Sequence, residues 1–216
     1  MDTWNPITGC LHNCLYCWAR NYAERLKIMG VEPYKTHGFK PAFAKWRLKK
    51  KFPKGGFVFV SDMGDMWGEW VPKEWIKKVL ETLRTKTETS FLFLTKNPKR
   101  YHEFMGEFTE NMVLGATIET NREYNVTKAP SPRERYAAMK TLNWDHKAVV
   151  VEPILDFDFE FIDWIREIHP EIVYVGYDNY DNRLPEPRLR KAWKFVNELR
   201  KTMDVEARNM RRAWYE

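Results

Sequence analysis

The chain has 216 residues, of which 44% are hydrophobic and 31% charged, with a formal net charge of +6. That composition fits a single globular domain over 1–216 and excludes a disordered polymer. No apolar run approaches the roughly 20 residues of a membrane span, so no membrane partner is expected. The opening MDTWNPITGC carries neither a basic n-region nor an apolar h-region, which predicts a cytoplasmic protein.

An extended stretch, Thr3–Ile7, leads into three closely spaced cysteines. Trp18–Met29 then has helical spacing, with Tyr22, Leu26 and Met29 expected on its buried face. Residues 30–56 form a basic connection rich in Gly and Pro, with a helix expected at Pro41–Lys50. The apolar run Phe57–Ser61 reads as a buried strand. Trp75–Leu83 reads as a helix, with Pro72 near its start, where proline is tolerated. Four more pairs follow: Phe91–Thr95 with Pro98–Phe108, Met112–Ile118 with Ser131–Leu142, Ala148–Glu152 with Phe159–Ile168, and Ile172–Gly176 with Glu186–Met203. About six strand–helix units predict an α/β fold with parallel strands, a partial TIM-like (β/α)6 barrel. A doubly wound open sheet is the alternative.

In parallel α/β folds, sites form where strands end and the next loops begin. The polar residues at those places are Ser61-Asp62-Met63-Gly64-Asp65, Thr95-Lys96-Asn97, Thr117 with Glu119 and Thr120, Glu152-Pro153, and Tyr177-Asp178-Asn179. Taken singly, each serves as readily as a helix cap or loop residue, Asp62 and Asp65 most of all.

The cysteines are the sharpest feature. Cys10, Cys14 and Cys17 are spaced C-x3-C-x2-C within the loop 8–18, and the chain has no others. Three in one short window do not make a disulfide framework. Thiolates at such intervals let one loop wrap a four-iron cluster and leave one iron open. Gly9 would permit close approach of the backbone. Two other readings stand beside this one. One is structural zinc held by the cysteines and His12 or a distant histidine, which is cramped because His12 lies two residues from two cysteines. The other is a set of buried thiols without ligand role.

C-x3-C-x2-C followed by the aromatic Trp18 resembles the signature of radical S-adenosylmethionine (SAM) enzymes. Trp4–Cys10 and Cys17-Trp18-Ala19 resemble segments of the spore photoproduct lyase-like, or DNA repair photolyase, branch. Ser61–Ile76, Phe93–Arg100, Asn111–Glu119 and Val151-Glu152-Pro153 resemble a phage-associated radical SAM-like family. That family's Gly-Gly-Glu-Ser stretch after the last strand is replaced here by Val175-Gly176-Tyr177-Asp178-Asn179, and Arg208–Glu216 departs from its usual ending. The resemblance implies a 4Fe-4S cluster on the three cysteines and reductive cleavage of SAM to a 5′-deoxyadenosyl radical. It implies that Ser61, Asp62, Met63 and Gly64 face the SAM ammonium, with Asp62 accepting its hydrogen bonds. Thr117 and Glu119 would hold the ribose, a carboxylate being able to accept from both hydroxyls of a diol. Lys96 would pair with the SAM carboxylate, or with Glu119 or Glu152, and Glu152 would point to the mouth. Trp67, Trp70 and Tyr16 are candidates for stacking on a base, though core packing is the more ordinary role of such residues.

The resemblance also implies an external electron donor. Nucleic acid is a candidate substrate from the basic groups Lys45–Lys54, Arg188–Lys194 and Arg208–Arg212. Solvated helix faces, or the lysine-rich surface of a thermophile, account for such groups equally well. The rival function is a zinc-stabilised nucleic-acid-binding module without catalysis. An electron-transfer protein is disfavoured because it would supply a fourth cysteine.

Overall fold

The computed structural model describes residues 2–216. Seven parallel strands form one curled half-barrel: β1 (Asp2–Trp4), β4 (Phe57–Val60), β5 (Ser90–Thr95), β6 (Met112–Thr117), β7 (Lys147–Val151), β8 (Ile172–Gly176) and β9 (Asp204–Arg208). Each strand adds beside its predecessor in chain order. Right-handed crossovers that always advance the same way put every helix on one face of the sheet. A doubly wound sheet would reverse that order partway, so the partial TIM-like barrel is the fold. The helices are α1 (Trp18–Ile28), α2 (Tyr34–His37), α3 (Lys73–Arg84), α4 (Pro132–Thr141), α5 (Phe161–Ile168) and α6 (Leu189–Leu199). A two-stranded antiparallel ribbon, β2 (Ile7–Thr8) with β3 (Ala42–Phe43), draws the basic connection back against the cysteine loop.

The strands carry the β-branched and aromatic residues that suit a pleated, two-sided surface. Helix α4 starts at a full capping box, Ser131 accepting from the Glu134 N–H and the Glu134 carboxylate from the Ser131 N–H. Under the sheet's helical face, Trp67 meets Phe93, Tyr101 and Phe104 edge-on at 4.7–5.6 Å. Farther along, Phe161 stacks on Phe195 at 5.2 Å.

Several expected elements come out differently. The Pro41–Lys50 segment is β3 followed by a 3-10 turn at Lys45–Lys49. Pro98–Glu107 is 3-10 rather than α, kinked at Phe104. Helix α6 starts only at Leu189, because Pro185 and Pro187 hold the preceding chain extended. A seventh strand, β9, follows it. Its sequence DVEAR alternates charged and apolar residues, as befits an exposed edge.

The largest departure is α1. Only Ala19 and Ala23 of this helix are buried, whereas Tyr22 and Met29 lie in solvent and Leu26 is half-buried. The small residues face the core with Leu26 packed at their edge, while Tyr22 and Met29 do not.

Trp67 has no solvent exposure, and its indole N–H has no acceptor among the described residues, so its contribution is packing. Trp67→Ala should lower the unfolding free energy by about 3–5 kcal/mol. This would be read as a lower urea midpoint at unchanged slope. A loss under about 1 kcal/mol would show that this aromatic cluster does not hold the barrel wall.

Candidate active site at the mouth of the half-barrel

The loop after β1 and the loop after β4 are zipped together. The Gly9 N–H donates to the Met63 carbonyl at 2.9 Å, and the Asp65 N–H donates to the Gly9 carbonyl at 3.3 Å. A Cβ on Gly64 would sit 2.7 Å from Gly9 backbone atoms, and one on Gly9 would sit 2.3 Å from the Lys40 carbonyl oxygen. Gly9 also has φ +82°, so glycine is required there on two counts. Asn5 fixes the turn from below. Its amide donates to Asp62 at 2.5 Å and its carbonyl oxygen accepts from the Met63 N–H at 2.8 Å.

Asp65 is the hub of this arrangement. It is buried, meets His12 Nε2 at 2.9 Å, and accepts from the Thr95 hydroxyl, the Lys96 N–H at 3.0 Å and the Trp67 N–H at 3.0 Å. Burial alone would raise its carboxyl. The bond and charge of His12, with the Lys96 and Thr95 donors, hold it below the ordinary value instead. From the other side the loop after β6 clamps the cysteines. Thr127 Oγ1 shares a 3.2 Å hydrogen bond with Cys14 Sγ, and the Leu15 N–H donates to the Val126 carbonyl at 3.0 Å.

The strand ends enclose a cavity of about 360 Å³, within the size range of small-molecule sites. Cys10, Cys14 and Cys17 line it, all as free thiols. Burial, followed by the nearby Asp65 carboxylate, pushes the Cys10 thiol up, and burial does the same to Cys17. Arg20 and Lys96 offset that rise only partly at Cys17.

Of the other expected site residues, Asp62, Gly64, Lys96, Thr117 and Glu152 line the same cavity. Ser61, Met63 and Glu119 do not. Ser61 is buried at the strand end with φ +61°, its hydroxyl unpartnered among the described residues. Met63 packs beneath α1 with Ala19, Ala23 and Tyr34. Glu119 lies behind the wall with both oxygens engaged. One meets Tyr16 and Lys96, the latter at 2.9 Å, and the other meets Arg135 at 2.6 Å. Burial opposes its charge, but Arg135 and then Lys96 hold its carboxyl at about 2.

Asp62 and Glu152 behave in the opposite way. Burial raises both carboxyls, and the Asn5 and Asn179 donors compensate only partly. They are the under-compensated anions of the cavity. Tyr16 lines the cavity as expected, but Trp67 belongs to the core and Trp70 packs edge-on against His12 at 4.8 Å. Tyr174 and Tyr180, not singled out from sequence, also line the cavity, as does Arg208, expected only as part of a basic group, which comes from the unexpected β9 and lies 4.3 Å over the Tyr174 ring.

The zinc reading needs donors converging on one ion. Among the described residues no three His, Cys, Asp or Glu side chains converge in that way, and the His12 imidazole is turned onto Asp65. A cluster sets a different requirement, since each thiolate reaches a different iron. Three thiols spread along one cavity wall, with Thr127 against Cys14 and the His12 N–H 3.5 Å from Cys10 Sγ, fit that requirement.

The family model described as "Protein of unknown function (DUF5131)" matches residues 1–168. No curated protein matches the chain. Among solved structures, a double mutant of spore photoproduct lyase with bound AdoMet and dinucleoside spore photoproduct matches at 14% identity and TM-score 0.59, covering 94% of this chain and 62% of that one. A second mutant, with dinucleoside spore photoproduct, matches at 15% identity and TM-score 0.57, covering 93% and 60%. At these identities the likeness is one of fold, and the chain spans about three fifths of the length of those structures.

Glu119→Gln tests the buried charge behind the wall. A carboxyl held at about 2 when folded and near 4.5 when unfolded contributes stability above the unfolded value. That contribution is lost as pH falls from about 4.5 through about 2. The glutamine variant should unfold about 3–5 kcal/mol more easily at neutral pH, because Arg135 and Lys96 lose their partner. The difference from the parent should shrink at low pH in urea melts. A pH-independent difference would contradict the assignment.

Proposed function

The chain belongs to the DUF5131 family, and from that premise we propose that it is a radical SAM enzyme. One observation carries the reading: the three free cysteines line a single cavity with strand-end residues at the C-terminal mouth of a parallel half-barrel. Cys10, Cys14 and Cys17 would hold a 4Fe-4S cluster and leave one iron for SAM. The cofactor pair supplies reductive cleavage of SAM to a 5′-deoxyadenosyl radical, which abstracts hydrogen from the substrate.

The chain's own residues bind, orient and shield. Asp62 and Glu152 are half-buried carboxylates raised by burial, Glu152 with only Arg208 as a cationic neighbour, and a sulfonium bearing an ammonium group would add positive charge beside them. Gly64 lines the cavity beside them, and Thr117 offers a hydroxyl at the end of β6. Lys96 is neutralised by Glu119 and lies 5.4 Å over the Tyr16 ring, so it presents little free charge to the SAM carboxylate. Glu119, Ser61 and Met63 act from behind, fixing the wall rather than touching ligand. Phe59, Leu92, Leu94 and Val150 make an apolar floor that keeps water from the reacting carbon. The substrate belongs against Tyr174, Tyr180 and Arg208, across the cavity from the cysteines. The fold likeness to spore photoproduct lyase supports this reading.

Anaerobic reconstitution should yield brown protein with about four iron and four sulfide per chain. Reduction with SAM present should release 5′-deoxyadenosine. Replacing any one of the three cysteines by alanine should abolish both. Colourless protein holding zinc would establish the binding-module alternative instead. Asp62→Ala and Glu152→Ala should each weaken SAM binding about tenfold or more while iron content stays unchanged. In the parent, affinity should fall as pH drops through the raised carboxyl range, because protonation removes the compensating charge. SAM binding indifferent to both substitutions would reject their assignment.

A further inference from the structure

Helix α1 follows the last cysteine directly, and its outward face is unusual. Trp18, Tyr22 and Leu26 recur at helical spacing, with Leu15 before them and Met29 after. The sequence pattern calls for burial, yet Tyr22 is 47% exposed, Met29 72% and the neighbouring Ile28 85%. Of the thirteen exposed large apolar side chains, eight fall within residues 11–46. A contiguous apolar surface of this kind marks an interaction site more often than accident. A groove runs between α1 and the Lys45–Lys49 turn, walled by Trp18, Tyr22 and Trp46 and edged by Lys49 and Lys50.

Charge is concentrated on the same segment. Residues 11–51 hold ten Lys and Arg against two Asp and Glu, a net +8 where the whole chain has +6, so the remainder is net −2. In the other basic groups Lys191 pairs with Asp156, Arg211 with Glu186 and Arg208 with Glu206, and the acidic residues elsewhere more than balance the rest. The chain's net positive charge therefore lies on the segment that carries the apolar stripe of α1. A second copy is disfavoured as occupant, since two such surfaces repel. A polynucleotide would use the indoles and lysines, but it offers nothing to Leu15, Ile28, Met29 and Val31. An apolar centre inside a basic rim fits a protein with an apolar centre inside an acidic rim.

We propose that this face docks an acidic one-electron carrier protein, which reduces the cluster through the cysteine loop. The inference rests on the reading of Cys10, Cys14 and Cys17 as cluster ligands. Leu15 and Trp18 flank Cys14 and Cys17 in sequence, and Trp18 lines both the outer groove and the inner cavity, so a partner seated here lies close to the cluster. The chain has no cysteines beyond these three with which to hold a relay. In the step itself one electron leaves the carrier, which is oxidised by one, and enters the cluster, which is reduced by one. No atom is transferred.

The test uses a flavodoxin of acidic surface as probe and dithionite as the small-molecule control. Lys45→Glu/Lys49→Glu and Tyr22→Ser/Met29→Ser change exposed side chains outside the cavity, and circular dichroism checks that each variant folds. Flavodoxin binding to metal-free and reconstituted protein should be salt-sensitive. It should weaken about tenfold or more in each double variant, with cluster reduction by flavodoxin slowed in step and reduction by dithionite unchanged. No binding by the parent, or equal binding by parent and variants, overturns the proposal. So does a oligodeoxythymidine that binds the parent and is lost with the same substitutions while flavodoxin is unaffected. If dithionite reduces nothing, the cluster reading has failed separately, and titration of the metal-free protein still decides whether the surface exists.

Discussion

The site depends on one constraint, the back-to-back contact of Gly9 with Gly64 and the buried Asp65 that follows it. The two loops approach to backbone distance because Gly64 carries no Cβ, and Gly9 in turn lets the Lys40 carbonyl close on the cysteine loop from another side. Asp65 then accepts hydrogen bonds from the turn after β4 and from the end of β5, while also meeting His12 in the cysteine loop. A carboxylate can serve that many partners at once, and burial makes each bond costly to lose. The cysteine loop is thereby fixed relative to the sheet before any ligand arrives. Preorganisation of this kind lets a loop rather than a strand carry ligands without loss of aim.

The electrostatics divide into a settled layer and an unsettled one. Behind the wall, Glu119 is fully matched by Arg135, Lys96 and Tyr16, so it is structural and its charge is stable. In front, burial keeps the Asp62 and Glu152 carboxyls raised, against the Asn5 amide at one and the Asn179 amide and Arg208 charge at the other. The thiols of Cys10 and Cys17 are raised as well. Asp65, on the same cavity, is instead held below its ordinary value by His12 and the Lys96 and Thr95 donors, so the unsettled carboxyls and thiols are these four alone.

Much of this was legible in the sequence. The apolar runs FVFVS, FLFLT, MVLGATI, AVVVE and IVYVG mark strands regardless of context, because burial on both faces requires continuous hydrophobicity. The residues following them reach one rim for the topological reason that parallel strands end together. Hidden from view was anything decided by pairing between distant segments. Asp65 looks like a helix cap until His12 and Thr95 are brought beside it. Glu119 and Thr117 share a strand end, yet one faces Arg135 behind the wall and the other the cavity. Strand β9, and with it the place of Arg208 on the cavity, is invisible because an edge strand's charged alternation resembles a loop. The Gly64-Asp65 pair was the one available signal for the hub, since glycine beside a carboxylate after a strand is how a tight, satisfied turn is written.

Helix α1 shows how the same constraint produces an outward face. Ala19 and Ala23 are the residues it turns inward, onto Tyr34 and Met63. Small residues allow the helix to sit close over the zipped loops, which keeps Cys17 at the cavity while the helix axis lies near the surface. Larger inward residues would lift α1 and carry Cys17, its N-cap, away from Cys10 and Cys14. Helical geometry then leaves Trp18, Tyr22 and Met29 no core to enter, so close seating of the cysteine loop and exposure of an apolar stripe are two results of one packing choice. Removing the stripe by polar substitution should therefore cost the fold little. A surface retained without benefit to folding points to a use outside the chain.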